Sequence, residues 1–544
     1  MPELSSADHS ISPPNVKIPR DYNAAYDLIE RNLKAGRADK IAYYDETGGH
    51  TYRELSECVN RFANALISLG LQMEQRVLLC LNDTIDFPVA FLGSIKAGIV
   101  PVACNTLLST DNYEHLLRDS RARALIVSAG LLPKFSAILG RTPLLKHVIV
   151  SQSDETRYLS FGKLLAAASP AFVAAPTTSD DVCFWLYSSG STGAPKGTLH
   201  VHSSLIQTAE HYARPILGIG ESDVVYSVAK LFFAYGLGNS LTFPLAVGAS
   251  AVLVSSWAKP TDVFATMRRY RPTIFYGVPT LYAAMLASAE LPRREELSLR
   301  RCVSAGEALP EHVGKRWCAH FGVDILDGLG STEMLQMYLS NRPGEVRYGS
   351  TGKAVPGYKL RIVDEQGLAV TQGEVGELQV CGPSAALGYW NNCEKTRATF
   401  FGSWVRSGDK FSVDADGYYV YAGRSDDMLK VSGIYVSPIE VESALISHSS
   451  VLEAAVVGCE DAEGLTKPAA MVVLKPGIAA SEALAEELKK HVKNVIAPYK
   501  YPRWIYFVDE LPKTATGKIQ RFKLRAQCAQ SGAFRQPATP LVSA

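Results

Sequence analysis

Short runs of valine, isoleucine and leucine alternate with segments of helical spacing along the first two thirds of the chain. Strands are predicted at the apolar runs that begin at Arg76, Ile99 and Arg123, and a helix is predicted over DFPVAFLGSIKAG from Asp86. This alternation is typical of α/β proteins, in which helices cover largely parallel sheets. The pattern therefore predicts an α/β architecture for this large N-terminal part.

The pattern changes after about Tyr358, where KLRIVDEQG, GELQVCG and DGYYVYAG alternate polar and apolar positions and predict a small β subdomain. The charged, glycine-rich segment Gly423–Gly433 is typical of a linker. Beyond it, a helix (PIEVESALISH), two strands (LEAAVVGCE and PAAMVVLKP) and a helix (SEALAEELKKHVKNVI) predict a small α+β domain. We therefore expect domains over residues 1–425 and 426–533, joined by a hinge, and a disordered tail over 534–544.

The size and charge of the chain narrow the functions to consider. A chain of 544 residues is longer than a typical domain with a single hydrophobic core, which agrees with the prediction of two domains. Lysine and arginine number 55 against 54 acidic residues, which leaves a net charge of +1. We therefore expect neither a nucleic-acid partner nor a membrane partner bound through charge.

Targeting signals and cysteine usage point to the cytoplasm. The N-terminal residues carry no apolar run with a positive flank, so they do not resemble a signal peptide. The apolar stretch from Leu241 to Ala258 is interrupted by Pro244 and Gly248, which favours a core helix followed by a strand over a membrane span. The ten cysteines form no C-x-x-C pair, so we expect reduced thiols in a soluble cytoplasmic protein.

The segment YSSGSTGAPKG, Tyr187 to Gly197, follows a predicted buried strand, CFWLY, and contains no residue that could form a core. Glycine- and hydroxyl-rich turns after strands can wrap phosphates with their N–H groups, and Lys196 would add a positive charge. The segment is not a Walker A loop, because Lys196 follows a proline and precedes a glycine. A flexible surface turn is the alternative interpretation of the segment alone.

Further segments follow in order along the chain: SAGEALP (304–310), DGLGSTE (327–333), WVRSGDK (404–410), YAGRSDDMLKVSG (421–433) and PKTATGK (512–518). Together with YSSGSTGAPKG they resemble the acyl-adenylate-forming superfamily, which contains acyl-CoA synthetases, adenylation domains of peptide synthetases and luciferases. The resemblance extends from about Tyr22 to Arg525. KLFFAYGLGN, FYGVPTLYAAML, GYWNN and LPKTATGKIQRFKLR resemble the benzoate–CoA ligase branch more narrowly.

The resemblance implies that the chain activates a carboxylic acid with ATP and Mg²⁺ and then transfers the acyl group to coenzyme A. Charge builds on the phosphoryl oxygens during such a reaction, so cations and aligned donors are its main catalytic device. Thr332 would contact the α-phosphate and Glu333 would hold Mg²⁺. An ordinary carboxylate at a helix start is the alternative for Glu333.

The resemblance also assigns the nucleotide contacts. Asp409 would accept hydrogen bonds from the ribose hydroxyls, and Arg424 would assist at the ribose or phosphate. The residues expected to hold the β- and γ-phosphates are Ser188, Ser189, Gly190, Ser191, Thr192, Gly193 and Lys196. The residues expected to frame adenine are Gly306, Glu307, Asp327 and Gly328.

The C-terminal domain is expected to act in both half reactions. Lys518 would contact the attacking carboxylate and the α-phosphate, since a lysine is a compact, mobile charge. The second step needs a path for the thiol of coenzyme A, so the small domain would rotate about a hinge at Asp426. Lys430 and Gly433 match the stretch that lines the pantetheine tunnel in the family, where a glycine leaves the path open.

The acyl pocket is expected at Phe233, Ala234, Tyr235, Gly330 and Gln336. Amino-acid-activating relatives carry an aspartate at the position of Ala234, so no charge here would pair a substrate ammonium. Two rings nearby suit a flat aryl acid, although both could be ordinary core residues. The benzoate branch often has histidine where Gln336 stands, and an amide could either meet a ring substituent or replace a structural histidine.

A benzoate–CoA ligase is therefore the favoured function, with a small aryl carboxylic acid as substrate. Hydroxybenzoate or aminobenzoate is the alternative substrate, and loading of a carrier protein is the alternative function. The chain has no phosphopantetheine attachment motif of the G-G-x-S type, which favours free coenzyme A. Luciferase-like oxygenation of the adenylate also remains open. A homodimer is compatible with the resemblance, and the sequence leaves the oligomeric state undecided.

The role assigned to Lys518 separates the two half reactions. We predict that Lys518→Ala lowers the rate of aryl-adenylate formation about a hundredfold or more, the scale for removing a preorganised charge-stabilising donor. The same variant should transfer a chemically supplied aryl-adenylate to coenzyme A with a much smaller loss. Single-turnover assays of each step check this, and equal losses in both would contradict the assignment.

Overall fold

The structure, a computed structural model, describes residues 2–153, 157–190, 193–425, 427–431, 434–460, 466–513 and 519–530. The chain packs into two compact units, Met1–Leu360 with Val380–Val405 and Arg361–Gln379 with Arg406–Ala544. The prediction of an α/β chain with a large N-terminal part and a smaller C-terminal part is confirmed. The boundaries between these two units lie at other residues than the predicted hinge at Asp426. The hinge is a prediction about domain movement, and it stays a prediction because residue 426 lies outside the described residues.

One sheet of the first unit carries the hairpin formed by Val182–Gly190 and Gly193–Val201 near its edge. The two strands of the hairpin pair antiparallel. From Val182–Gly190 to His147–Ser151 the neighbouring strands of the sheet pair in parallel, as their apolar runs predict. In spatial order the strands of this sheet are Gly388–Tyr389, Gly193–Val201, Val182–Gly190, Val100–Ala103, Arg76–Cys80, Ala124–Ser128, His147–Ser151 and Leu159–Ser160.

The other large sheet of the first unit is parallel in its centre and antiparallel at both ends. Its strands in spatial order are Lys353–Ala354, Met337–Ser340, Ile325–Gly330, Arg301–Ser304, Ile274–Gly277, Val224–Ser227, Ser250–Val252, Ile41–Asp45 and Gly48–Thr51. In a parallel sheet the carboxyl ends of neighbouring strands meet at one edge, where α/β proteins bind ligands.

Helices cover these sheets and bury their apolar faces. Thr51 and Glu54 form a reciprocal capping box that fixes the start of Tyr52–Ser68. The other helices of the first unit are Ala24–Lys34, Asp86–Lys96, Thr110–Ser120, Phe161–Ala167, His202–Thr208, Ala234–Leu237, Phe243–Val247, Pro260–Tyr270, Pro279–Ala287, Glu311–Phe321 and Cys393–Thr399, with π-helical turns at Ala209–Leu217 and Gly238–Thr242.

The helix predicted from Asp86 and the helix–strand pair predicted over the apolar stretch from Leu241 are both confirmed. Short 3₁₀ segments lie at Ala129–Lys134, Leu139–Arg141 and Arg294–Glu296. None of the helices in the described residues is long and apolar enough to span a bilayer.

The chain crosses from one unit to the other three times, within the strands Lys359–Val363, Gly376–Cys381 and Trp404–Val413. In the second unit, Tyr419–Arg424 pairs antiparallel with Trp404–Val413. The α+β prediction for the C-terminal part is confirmed by Pro438–Ile446, Val451–Glu460, Thr466–Leu474, Glu482–Val495, Trp504–Phe507 and Arg521–Gln530.

Two expectations for the second unit need correction. Part of the predicted linker forms strands, because Leu429–Val431 pairs antiparallel with Ile434–Val436. Cys459 and Cys528 are joined in a disulfide with their Cα atoms 5.9 Å apart, although ten reduced thiols were expected. The sequence could not indicate this pair, because its members are 69 residues apart and meet only when a helix packs on a strand.

Close backbone packing in the first unit gives a stability prediction at Gly236. A Cβ atom there would lie 2.1 Å from the carbonyl oxygen of Lys230, and backbone cannot move aside as a side chain can. We predict that Gly236→Ala costs about 1–3 kcal/mol of unfolding free energy, the scale of overpacking. The measurement is the apparent Tm by scanning calorimetry.

Gly220→Ala is the matched control, because no atom lies within 4 Å of its added Cβ. It should change the unfolding free energy by less than about 0.5 kcal/mol. Equal values of Tm for the two variants would contradict the packing described for Gly236.

Candidate active site

The phosphate-loop hairpin is the pair of strands Val182–Gly190 and Gly193–Val201, whose register sets Ser188 opposite Lys196 and Gly190 opposite Gly193. The hydroxyl of Ser188 is buried and has no hydrogen-bond partner among the described residues. Ser191 and Thr192 lie outside the described residues, and only the backbone of Ser189, Gly190 and Gly193 is described. The hairpin therefore brings Ser188 and Lys196 together at the base of the predicted loop.

A pair of tryptophan rings supports the base of this hairpin. The rings of Trp185 and Trp390 lie 4.7 Å apart, and the guanidinium of Arg76 lies 5.3 Å from the Trp390 ring. The hydroxyl of Tyr187 donates to a carboxylate oxygen of Asp119 at 2.6 Å. These contacts fix the hairpin on the sheet before the loop begins.

Thr332 and Glu333 lie in the turn that follows strand Ile325–Gly330. Nε2 of the fully buried His200 donates to the carbonyl oxygen of Thr332 at 2.8 Å, and the ring stacks on Phe184 with 5.2 Å between centroids. Burial lowers the pKa of His200 to about 4, so the ring is neutral at physiological pH. A neutral side chain of the hairpin thus holds the backbone of the predicted α-phosphate residue.

Glu333 and Lys196 meet the same aromatic side chain. The hydroxyl of Tyr389 donates to Oε1 of Glu333 at 2.8 Å. Nζ of Lys196 lies 4.5 Å from the centroid of the Tyr389 ring. The predicted metal-binding carboxylate and the predicted phosphate-binding ammonium therefore contact the same side chain.

The residues predicted to frame adenine lie at adjacent strand ends of the second large sheet. Asp327 is opposite Ser304 in the parallel register, Gly306 and Glu307 follow Ser304 closely, and Gly328 follows Asp327. Oδ1 of Asp327 is buried and has no hydrogen-bond partner among the described residues. Burial raises the pKa of Asp327 well above its usual range. This buried acceptor is suited to a ligand N–H donor.

The predicted acyl-pocket segment runs from Phe233 into helix Ala234–Leu237. Phe233, Ala234 and Tyr235 are each half-buried. The hydroxyl of Tyr235 donates toward the carbonyl oxygens of Gly277 and Val303, each at 3.3 Å. These bonds hold the Tyr235 ring in place, and all three residues keep part of their surface accessible.

Gln336 ties this segment to the turn that carries Thr332. Its Nε2 donates to the carbonyl oxygens of Ala234 and Tyr235 at 3.4 and 3.2 Å, and its Oε1 accepts from the N–H of Met337 at 3.1 Å. Nε2 lies only 2.1 Å from the position of a Cβ on Gly238, so a larger residue there would displace the Gln336 amide from these bonds. Gly330 lies directly against the Gln336 backbone.

Two residues to which the sequence analysis assigned no role hold the start of the acyl-pocket segment. Both carboxylate oxygens of buried Asp83 accept from the N–H of Leu231, at 3.2 and 3.3 Å. Nζ of Lys230 donates to the carbonyl oxygens of Val254 and Ser256, each at 2.6 Å. Burial raises the pKa of Asp83 to about 6.

In the second unit, Asp409 and Arg424 are opposite each other in the strand register. Nη1 of Arg424 donates to Oδ1 of Asp409 at 3.1 Å, and Asp409 is buried. Lys518, Asp426 and Gly433 lie outside the described residues, and only the backbone of Lys430 is described. The structure thus brings together the predicted ribose-binding pair.

Comparison with known proteins agrees with this arrangement. The family model for AMP-binding enzymes matches residues 29–390, and the model for the C-terminal domain of these enzymes matches residues 440–518. A benzoate–CoA ligase from Thauera aromatica is 65% identical over 96% of this chain and 99% of its own. A 4-hydroxybenzoate–CoA/benzoate–CoA ligase from Rhodopseudomonas palustris is 50% identical, covering 93% and 94% of the two chains.

Solved structures give the same family. A benzoate CoA ligase from Burkholderia xenovorans LB400 has a TM-score of 0.87 and 56% identity, covering 93% of this chain and all of its own. The anthranilate CoA ligase AuaEII, solved with anthranoyl-AMP, has a TM-score of 0.90 and 47% identity over 95% and 99% of the two chains. With the phosphate-loop hairpin, the Thr332–Glu333 turn and the C-terminal match in one chain, this protein belongs to the family of AMP-binding enzymes.

Proposed function

We propose that this protein is a benzoate–CoA ligase, which converts ATP, benzoate and coenzyme A into benzoyl-CoA, AMP and diphosphate through a benzoyl-adenylate. The observation that carries the proposal is the aromatic segment Phe233–Tyr235, with the uncharged Ala234 in its centre, linked through Gln336 to the Thr332–Glu333 turn. A flat, uncharged ring beside the reacting carboxylate suits such a segment. The names of the relatives from Thauera aromatica and Burkholderia xenovorans support the same substrate.

In the first half reaction, a benzoate oxygen attacks the α-phosphorus, and the bond from that phosphorus to the bridging oxygen breaks to release diphosphate. Lys196 would neutralise charge on the β- and γ-phosphates, and Thr332 would donate to the α-phosphate. Positioning and charge stabilisation are the main contributions in phosphoryl transfer. The bonds from His200 to the Thr332 carbonyl and within the hairpin would fix both groups before ATP arrives.

The Glu333 carboxylate fits a bound Mg²⁺. Among the described residues there is no group of three or more His, Cys, Asp or Glu that could hold a metal alone. Mg²⁺ is commonly held by one or two carboxylates together with substrate phosphates, which agrees with a single glutamate beside the phosphate-loop lysine. When bound, the ion would supply positive charge that offsets the charge developing on the phosphates.

The nucleotide would be recognised by a buried acceptor, Asp327, and by the ion pair of Asp409 and Arg424. Oδ1 of Asp327 would accept from the adenine amino group, which gives this buried oxygen a partner. Asp409, held by Arg424, would accept from the ribose hydroxyls. Gly306, Glu307 and Gly328 would complete the contacts around the base.

The second half reaction would transfer the benzoyl group to the thiol of coenzyme A, with AMP as the leaving group. Lys518 would serve in the first step, and rotation about Asp426 would then open a path past Lys430 and Gly433. These roles rest on the family resemblance of TATGK and of the segment from Tyr421 to Gly433. Domain rotation of this kind is a known gating device in two-step enzymes.

A hydroxybenzoate or aminobenzoate is the second candidate substrate. Relatives named for 4-hydroxybenzoate and for anthranilate support it. The Gln336 amide argues for unsubstituted benzoate, because its nitrogen and oxygen are both bonded to backbone groups. A substituent would have to compete with these bonds for the amide.

The reaction itself is tested with a panel of benzoates in the presence of MgATP. We predict benzoyl-CoA, AMP and diphosphate in equal amounts when coenzyme A is present, and release of diphosphate limited to about one enzyme equivalent when it is absent. The products are measured by liquid chromatography and mass spectrometry. Turnover that coenzyme A does not accelerate would contradict the proposal and favour loading of a carrier protein.

The position of Gln336 predicts a uniform effect on substrates. Gln336→Leu removes the donor to the carbonyls of Ala234 and Tyr235, so kcat/KM should fall about tenfold for benzoate, hydroxybenzoates and aminobenzoates alike. Gln336→His is the matched control, because an imidazole N–H can replace the amide donor, and it should retain most of the activity. A rise in the ratio of benzoate to hydroxybenzoate kcat/KM in Gln336→Leu would mean that the amide faces the ring instead.

A further inference from the structure

The side chain of Tyr389 lies between the two charged groups of the active site. Its hydroxyl donates to Oε1 of Glu333 at 2.8 Å, and its ring centroid is 4.5 Å from Nζ of Lys196. We propose that Tyr389 is a positioning residue for adenylate formation, which orients the Glu333 carboxylate with its hydroxyl and holds the Lys196 ammonium with its ring. This inference rests on the roles proposed above for Glu333 and Lys196.

The hydroxyl contact acts on the carboxylate. A hydrogen bond to an ionised acceptor is stronger than one between neutral groups, so it fixes the rotation of the Glu333 side chain. Only Oε1 accepts this bond, and no hydrogen bond to Oε2 is present in the described part of the chain. Partners of this kind orient metal-binding carboxylates and tune their affinity. Tyr389 would thus direct Oε2 toward a metal bound with the nucleotide.

The ring contact acts on the ammonium. An aromatic face carries partial negative charge and attracts a cation within about 6 Å of its centroid. The neutral ring adds no formal negative charge, so the field of Lys196 at the phosphates is preserved. The same side chain thus holds a cation and an anion at a fixed separation.

The backbone around Tyr389 explains why its side chain can serve this purpose. The N–H of Leu387 donates to the carbonyl of Leu199, and that of Trp390 to the carbonyl of Gly197, at 2.9 and 2.8 Å. These bonds attach the segment from residue 386 to 390, here called the strap, to the outer strand of the phosphate-loop hairpin. Tyr389 itself is opposite Thr198 in the register and is only 6% exposed.

The strap is also bonded to the Glu333 turn. The N–H of Ala386 donates to the carbonyl oxygen of Glu333 at 2.8 Å. Within the first unit, the strap therefore contacts both the strand that carries Lys196 and the turn that carries Glu333. Tyr389 occupies the point at which a side chain can reach both charged groups.

The test measures metal binding without turnover. Mn²⁺ replaces Mg²⁺ as a paramagnetic probe, with α,β-methylene ATP as the unreactive nucleotide, and bound Mn²⁺ is followed by electron paramagnetic resonance. Tyr389→Phe keeps the ring and removes the hydroxyl, so the dissociation constant of Mn²⁺ should rise about tenfold or more. Its KM for benzoate should remain that of the wild type.

Tyr389→Leu removes the ring as well. In this variant the dissociation constant of α,β-methylene ATP, measured without any metal, should also rise, because Lys196 is no longer held. Tyr389→Phe should retain wild-type affinity in that metal-free measurement. Equal metal-free affinity in both variants would overturn the role assigned to the ring.

Tyr43→Phe is the matched control, because Tyr43 is fully buried and its hydroxyl has no hydrogen-bond partner in the described residues. It should leave Mn²⁺ binding unchanged. Circular dichroism and the apparent Tm check that each variant is folded.

Glu333→Gln separates this inference from the proposed function. If Glu333→Gln weakens Mn²⁺ binding, Tyr389→Phe should also weaken it, and the double variant should bind no more weakly than Glu333→Gln alone. If Glu333→Gln weakens binding and Tyr389→Phe does not, the positioning role of Tyr389 is wrong. If Glu333→Gln has no effect, the metal-binding role of Glu333 is wrong and the inference fails with it.

Discussion

The active site depends on holding one strand, Gly193–Val201, against the turn that follows strand Ile325–Gly330. The strand belongs to one sheet and the turn to another, so main-chain pairing within a sheet cannot align them. The alignment comes from His200 bonded to the carbonyl of Thr332 and from Tyr389 bonded to Glu333. Phosphoryl transfer is accelerated mainly by fixed charges and fixed geometry, so these contacts determine whether the charged groups act together.

The side chains that link the Thr332–Glu333 turn to the phosphate-loop hairpin and to the aryl segment are neutral. His200 is uncharged because burial lowers its pKa, and Gln336 contributes an amide whose nitrogen and oxygen both bond to backbone. A charged support would add its own field to that of the phosphates and would need a partner after burial. These neutral side chains add no charge of their own beside Lys196 and Glu333. The ionic groups Asp83 and Lys230 are bonded to backbone at the start of the aryl segment.

The elements and the order of the motifs could be predicted from the sequence, because both are local. The apolar run from Arg76, the helix from Asp86 and the helix–strand pair after Leu241 all form where periodicity indicates them. The supporting contacts could not be predicted, since they join distant residues. Tyr389 and Glu333 are 56 residues apart, and His200 and Thr332 are 132 apart.

The same limit applies to Asp83, which is 148 residues from Leu231 and lies in no motif. The disulfide between Cys459 and Cys528 is also a product of tertiary packing rather than of spacing. GYWNN contributed to the family resemblance, but nothing in those letters indicates that the tyrosine reaches two charged groups. Side-chain roles of this kind follow only from the contacts that the fold creates.

The central claim is that a carboxylate oxygen of the aryl acid bonds to the α-phosphorus of ATP. It is tested most directly with benzoate labelled with ¹⁸O in both carboxylate oxygens, in a complete reaction with MgATP and coenzyme A. Mass spectrometry of the products should find one ¹⁸O in AMP and none in diphosphate, because the acyl–oxygen bond breaks when the thiol attacks. Unlabelled AMP, or label in a phosphate derived from the terminal positions of ATP, would contradict the acyl-adenylate and with it the function proposed for this site.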